Sequence, residues 1–176
     1  MNIESKKSDA RIATRARLVA VFNQLLLEDE APRPKVAQII AEANISRSTF
    51  YDYFDGVEEL FNESLAGLLG GIAQALVEAD PSRDLIWYFD HIWQNRSRAR
   101  DMLSGDRGER AEALLARQLE LRLADQANGK LLAILAAGIV MAALRNWVRG
   151  SVAGSPEILA GKIERTVAAV LAAGEG

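Results

Sequence analysis

The stretch from Lys35 to Leu60, KVAQIIAEANISRSTFYDYFDGVEEL, reads as two short helices joined by a tight turn and running into a third. Val36, Ile39, Ile40 and Ala43 recur at helical spacing, so the first helix can bury one face. Pro34 precedes it, where a missing backbone N–H costs nothing. Asn44 stands where a left-handed residue would end that helix, a conformation asparagine tolerates better than most. Ser46 is placed to cap the next helix, and Ile45 with Phe50 forms a hydrophobic staple that sets the angle between the two. The second helix extends to Phe54. Asp55 with Glu58 then gives a start signal for a further helix.

The second helix carries Arg47, Ser48, Thr49, Tyr51 and Tyr53, all able to donate hydrogen bonds. A helix, a short turn and a polar second helix are what a DNA-reading helix-turn-helix requires. Arg47 and Ser48 are candidates for base edges, arginine above all for guanine, and the cap Ser46 beside them is a further DNA-binding candidate. Lys35, Thr49, Tyr51 and Tyr53 are candidates for phosphate contacts that fix register. Phe50 and Phe54 read as core residues, and Asp52 repels phosphate.

These residues, Ile40-Ala41, Asn44-Ile45-Ser46, Thr49-Phe50-Tyr51-x-Tyr53-Phe54 and Glu58-Glu59-Leu60, resemble the DNA-binding domain of the tetracycline-repressor (TetR) family of bacterial regulators over about residues 11–61. Asn44 stands where that family usually has glycine, and Val57 where it usually has a phosphate-contacting lysine. The resemblance implies further backbone contacts from Thr14, Arg15 and Arg17. It also implies that the last two helices build a homodimer interface as a four-helix bundle, and that a small-molecule effector binds in the larger domain.

Outward from this module, the 176-residue chain has 49% hydrophobic residues, four prolines and no cysteine. Ala, Leu, Arg and Glu dominate, which favours an all-α fold. We expect an N-terminal three-helix DNA-binding domain over residues 1–54 and a C-terminal helical ligand-binding and dimerisation domain over residues 55–176. The net charge is −3, yet residues 1–17 carry Lys6, Lys7, Arg11, Arg15 and Arg17 against Glu4 and Asp9. Residues 1–9 read as a mobile basic arm, suited to phosphate contact or simply solvated, with a helix from about Arg11 bearing Leu18, Val21, Phe22 and Leu25 on one face. The acidic segment from Glu28 to Pro32 closes that helix. The missing cysteines fit a reducing cytoplasm, and the N-terminus lacks the apolar core of a signal peptide. The apolar run Leu131–Leu144 falls short of the roughly 20 residues of a membrane span, so no membrane partner is expected.

Val57 to Glu78 reads as a connecting helix containing Gly67, Gly70 and Gly71, which serve close packing or a soft kink. Asp80-Pro81-Ser82 opens a helix with Leu85, Ile86, Phe89, Ile92 and Trp93 on a core stripe. Trp87, Tyr88 and His91 on the same helix either line an effector pocket or pack in the core. Arg96, Arg98 and Arg100 read as a solvated basic helix end. A loop at Ser104–Gly108 precedes a helix from Glu109 to Gln126, and Asn128-Gly129 breaks it. The two closing helices, Lys130–Val148 and the one opened by Ser155-Pro156, are alanine-rich. They either complete the monomer core or pair with a second copy.

Catalysis is not expected. His91 is the one histidine, and no Gly-x-Ser-x-Gly elbow or Walker loop occurs. No cofactor or metal is implied. The reading is a ligand-responsive regulator, a repressor, binding palindromic double-stranded operator DNA as a homodimer. The competing class is a helical small-molecule-binding or interaction protein with a degenerate DNA-binding module.

Overall fold

The computed structural model describes residues 3–28, 34–78 and 82–173, and every regular element among them is helical. The order is α1 (Ile3–Glu28), α2 (Val36–Glu42), α3 (Arg47–Tyr51), α4 (Val57–Val77), α5 (Ser82–Gln94), α6 (Arg96–Met102), α7 (Gly105–Arg122), α8 (Gly129–Val148) and α9 (Pro156–Ala172). The fold is all-α. Most of the expected closing segment of the first helix and the Asp80-Pro81 helix start lie outside the described residues.

The contacts divide the chain into Met1–Leu65 and Ala66–Gly176. The first unit takes in the opening turns of α4 as well as the three N-terminal helices. The reason is packing: Leu60 joins Leu18, Phe22, Ile39, Ala43, Phe50 and Phe54 in one buried cluster, with Val57 and Phe61 against it.

Residues 3–9 do not form a separate arm, because they already belong to α1, and the first two residues of the expected arm lie outside the described residues. No glycine or proline interrupts the chain before Pro32, so nothing halts helix propagation toward the N-terminus. At its other end the module is shorter than expected. Helix α3 ends at Tyr51, and a Phe54 N–H to Phe50 O bond of 3.0 Å closes the following turn.

In the second unit α8 is the central helix, packed on α7, α9 and α6. Helices α4 and α8 are each long and apolar enough to cross a membrane by length and composition alone. The packing of α8 on three neighbours is that of a core helix. Trp147 near its end is fully buried, stacks on Trp93 at 4.6 Å and donates from Nε1 to the Gly154 carbonyl at 2.8 Å. The basic run after α5 is not the solvated end of that helix but a separate helix, α6. Asn95 stands between the two with non-helical φ −104° and ψ 25°, its N–H and its side-chain amide both donating to the His91 carbonyl, at 3.2 and 2.9 Å. Arg100 on α6 donates to the Val148 carbonyl, so it is not simply solvated. The expected loop at Ser104–Gly108 lies largely within α7. Gly108 permits this start because a Cβ there would lie 2.5 Å from the Leu103 carbonyl oxygen.

Helix α4 runs without interruption through its three glycines. Gly71 has a packing role, since a Cβ there would fall 2.0 Å from the Tyr88 hydroxyl. Arg122 of α7 donates to the Gly70 carbonyl at 3.2 Å and to Gln74 Oε1 at 2.9 Å, tying α7 to the same stretch of α4.

Candidate nucleic-acid interface

The turn between α2 and α3 is built from local chemistry. Asn44 adopts φ 48°, the left-handed conformation that lets the chain leave α2. Two bonds then satisfy orphan carbonyls of α2: Ile45 N–H to Ile40 O at 3.1 Å and Asn44 N–H to Ala41 O at 3.1 Å. This is a Schellman closure, with Ile45 and Ile40 both packed against the core cluster. At the start of α2, the Lys35 N–H donates to Gln38 Oε1 at 2.8 Å.

Ser46 caps α3, its Oγ accepting from the Thr49 N–H at 3.0 Å. The same oxygen lies 2.8 Å from both Ser48 Oγ and Thr49 Oγ1, so three hydroxyls cluster at the opening of α3. Phe50 is buried at its centre, edge-on to Tyr51 at 5.3 Å. Ser46, Arg47, Ser48, Tyr51 and Asp52 are exposed, and Thr49 and Tyr53 are half-buried. One side of α3 therefore anchors the helix while the other presents donors to solvent. The Arg47 guanidinium lies over the Tyr51 ring, 5.7 Å from its centroid.

The α1 residues have more varied surroundings. Arg17 is exposed, and Thr14 donates its hydroxyl to the Ala10 carbonyl at 2.9 Å. Arg11 lies over the Tyr53 ring at 5.7 Å. Arg15 is engaged by the protein itself. Its Nε reaches Glu63 Oε2 at 2.7 Å and Oε1 at 2.9 Å, and one terminal nitrogen donates to the Tyr53 carbonyl at 2.7 Å. The other meets Glu59 Oε1 at 3.3 Å, and the guanidinium stacks on Phe54 at 4.4 Å. The hydrogen bond to Glu63 is the largest influence holding Arg15 above its ordinary basicity.

Sequence spacing gave no signal for these partners, because Glu59 and Glu63 are 44 and 48 residues from Arg15. At the start of α4, Glu59 accepts the Asp55 N–H at 2.7 Å. That backbone bond is the main reason the Glu59 carboxyl sits below the ordinary carboxylate range, with Arg15 adding to it. Val57, in the place of the lysine that the resemblance leads one to expect, packs against the core cluster.

On α5, Trp87 is 61% exposed, so it does not line a closed interior pocket. It stacks on His91 at 5.7 Å and meets Tyr88 edge-on at 5.0 Å. Burial is the main cause that lowers the His91 pKa, opposed by Asp90, so the ring is uncharged at neutral pH. No group of side chains among the described residues could hold a metal ion.

On α8 the apolar run has two sides. Leu132, Ala133, Ala136, Ala137, Val140, Met141 and Leu144 are buried, whereas Leu131, Ile134 and Leu135 are each about half exposed or more.

Comparison with known proteins adds the architecture. No protein-family model matches the chain, and no curated protein is significantly similar to it. Among solved structures, it is similar to a TetR transcriptional regulator from Streptococcus agalactiae 2603V, at 20% identity over 93% of this chain and 98% of that one, with a TM-score of 0.53. It is also similar to the dihydroxyacetone kinase operon activator DhaS, at 18% identity over 94% of this chain and 99% of that one, with a TM-score of 0.60. The chain has the fold of a TetR regulator. The likeness spans nearly the whole of each of these two chains, so it covers the helical second unit as well as the first.

Proposed function

We propose that this protein is a transcriptional regulator that binds palindromic operator DNA as a homodimer and answers to a small apolar effector. The observation that carries this reading is α3, held by a Schellman turn and a serine cap on one side and presenting Arg47, Ser48 and Tyr51 to solvent on the other. It is a binding function and not a catalytic one. Arg47 and Ser48 address base edges, while Thr49, Tyr51, Tyr53, Lys35, Thr14 and Arg17 are placed as phosphate contacts.

The dimer reading draws on α8. Leu131, Ile134 and Leu135 stand at i, i+3 and i+4 and form an exposed apolar stripe on a helix whose other face is already buried. A second copy of the same stripe is its natural cover, because an isologous contact places identical patches together. Dimerisation would set two recognition helices into successive major grooves roughly 34 Å apart. The proposed outcome is repression, although one structural neighbour is named an activator. The sign of such regulation follows from where the operator lies relative to a promoter. In this reading the effector binds beside α5, where the exposed Trp87 ring stacked on His91 offers a flat apolar surface with the ring nitrogens as polar anchors.

Replacing Arg47 with alanine tests the base contact. Against a panel of single-base operator variants in a mobility-shift assay, Arg47→Ala should cost about 1–3 kcal/mol and erase discrimination at one position per half-site. An equal loss on every duplex would make Arg47 a phosphate contact instead.

A further inference from the structure

We infer that Arg15 is a positioning residue for DNA reading, and that with Glu59 and Glu63 it forms a clamp fixing the end of the recognition helix. This rests on the regulator reading above. The resemblance implies that Arg15 touches the DNA backbone, but the geometry assigns its guanidinium to other work.

Three features of the clamp converge on the chain just after α3. Arg15 binds the Tyr53 carbonyl directly. It covers the Phe54 ring, whose edge of the core lies beside Phe50 at 6.0 Å. Its partner Glu59 holds the next free amide, that of Asp55. Residues 53–55, which link α3 to α4, are therefore gripped from α1 through Arg15 and from α4 through Glu59. Glu63 occupies Nε with both carboxylate oxygens, which fixes the plane of the guanidinium and so the direction in which its terminal nitrogens point.

The arrangement leaves Arg15 little capacity for a phosphate. Its Nε is held by Glu63, one terminal nitrogen by the Tyr53 carbonyl and the other by both Glu59 and Glu63, and one face lies on Phe54. A phosphate would also have to approach beside two carboxylates, which repel it. The helix that Arg15 steadies has only five residues and cannot hold its own orientation by backbone bonds alone. A recognition helix misplaced by a fraction of an ångström still meets phosphates, which long flexible side chains can follow, but loses base-edge hydrogen bonds, which are directional.

Glu63→Gln separates the possibilities by the sign of its effect. It removes a negative charge, so if Arg15 were a phosphate contact the released guanidinium would bind every duplex more tightly. The clamp predicts the opposite for the operator: affinity should fall about ten-fold, the scale of one lost base contact. Affinity for a scrambled duplex should stay unchanged, and so should the salt dependence of binding. Arg15→Met should do the same, and the double variant should be no worse than Arg15→Met alone, because both break one device. Circular dichroism and thermal unfolding read folding independently. A fall in operator and scrambled affinity in equal proportion would reflect lost folded protein and would overturn the positioning role. A tighter Glu63→Gln variant, or a salt slope reduced by about one in Arg15→Met, would also overturn it. Wild-type protein that prefers no duplex would instead remove the regulator reading on which the clamp rests.

Discussion

Phe50→Ala should destabilise the first unit by about 3–5 kcal/mol and abolish operator binding, with loss of helical circular dichroism at a lower denaturant concentration. The size follows from position. Phe50 is fully buried at the centre of α3, touching Tyr51 edge-on and Phe54 at 6.0 Å. Phe50 is the one buried residue of a five-residue helix, and Ile45 packs against the cluster it belongs to. Domains of this size hold only about 5–15 kcal/mol of net stability, so the loss is a large share of the whole. Because the exposed donors of α3 depend on that anchor, the effect on DNA binding should exceed that of deleting any one donor. A cost below about 1 kcal/mol would mean that α3 is held by something other than its buried face.

The joint change Leu131→Glu and Leu135→Glu should give a folded monomer that binds the operator at least about 10²-fold more weakly. Both side chains are already about half exposed in the single chain, so the charges meet water and cost the monomer little. In a dimer sealed by this stripe the same charges would be buried without partners, which an interface does not tolerate. The loss of affinity is large because the second half-site ceases to be an intramolecular contact. Sedimentation velocity reads the change in mass, and a double variant that remains dimeric would move the interface away from this face of α8.

The helix-turn-helix was legible in the sequence because its chemistry is local. Asn44 and Ser46 act over a few residues and each does in the structure what its spacing implies, and Ile45 packs against the cluster that holds Phe50. Helix ends were less legible where no breaker marks them, as in the extension of α1 to Ile3. The interruption at Asn95 is a change in the dihedral angles of one residue that no pattern of apolar residues reports. The clamp around Arg15 was hidden for a different reason. An arginine near a DNA-binding helix looks like a phosphate contact until carboxylates distant in sequence are seen beside it. Leu131 and Leu132 are alike in sequence, and only packing on α7 and α9 separates the exposed side of α8 from the buried one.

Selection of duplexes from a random-sequence pool by the purified protein should enrich an inverted repeat whose half-site centres lie about one helical turn apart, with an affinity that falls steeply as salt rises. A pool that emerges with no enriched sequence would contradict the regulator reading.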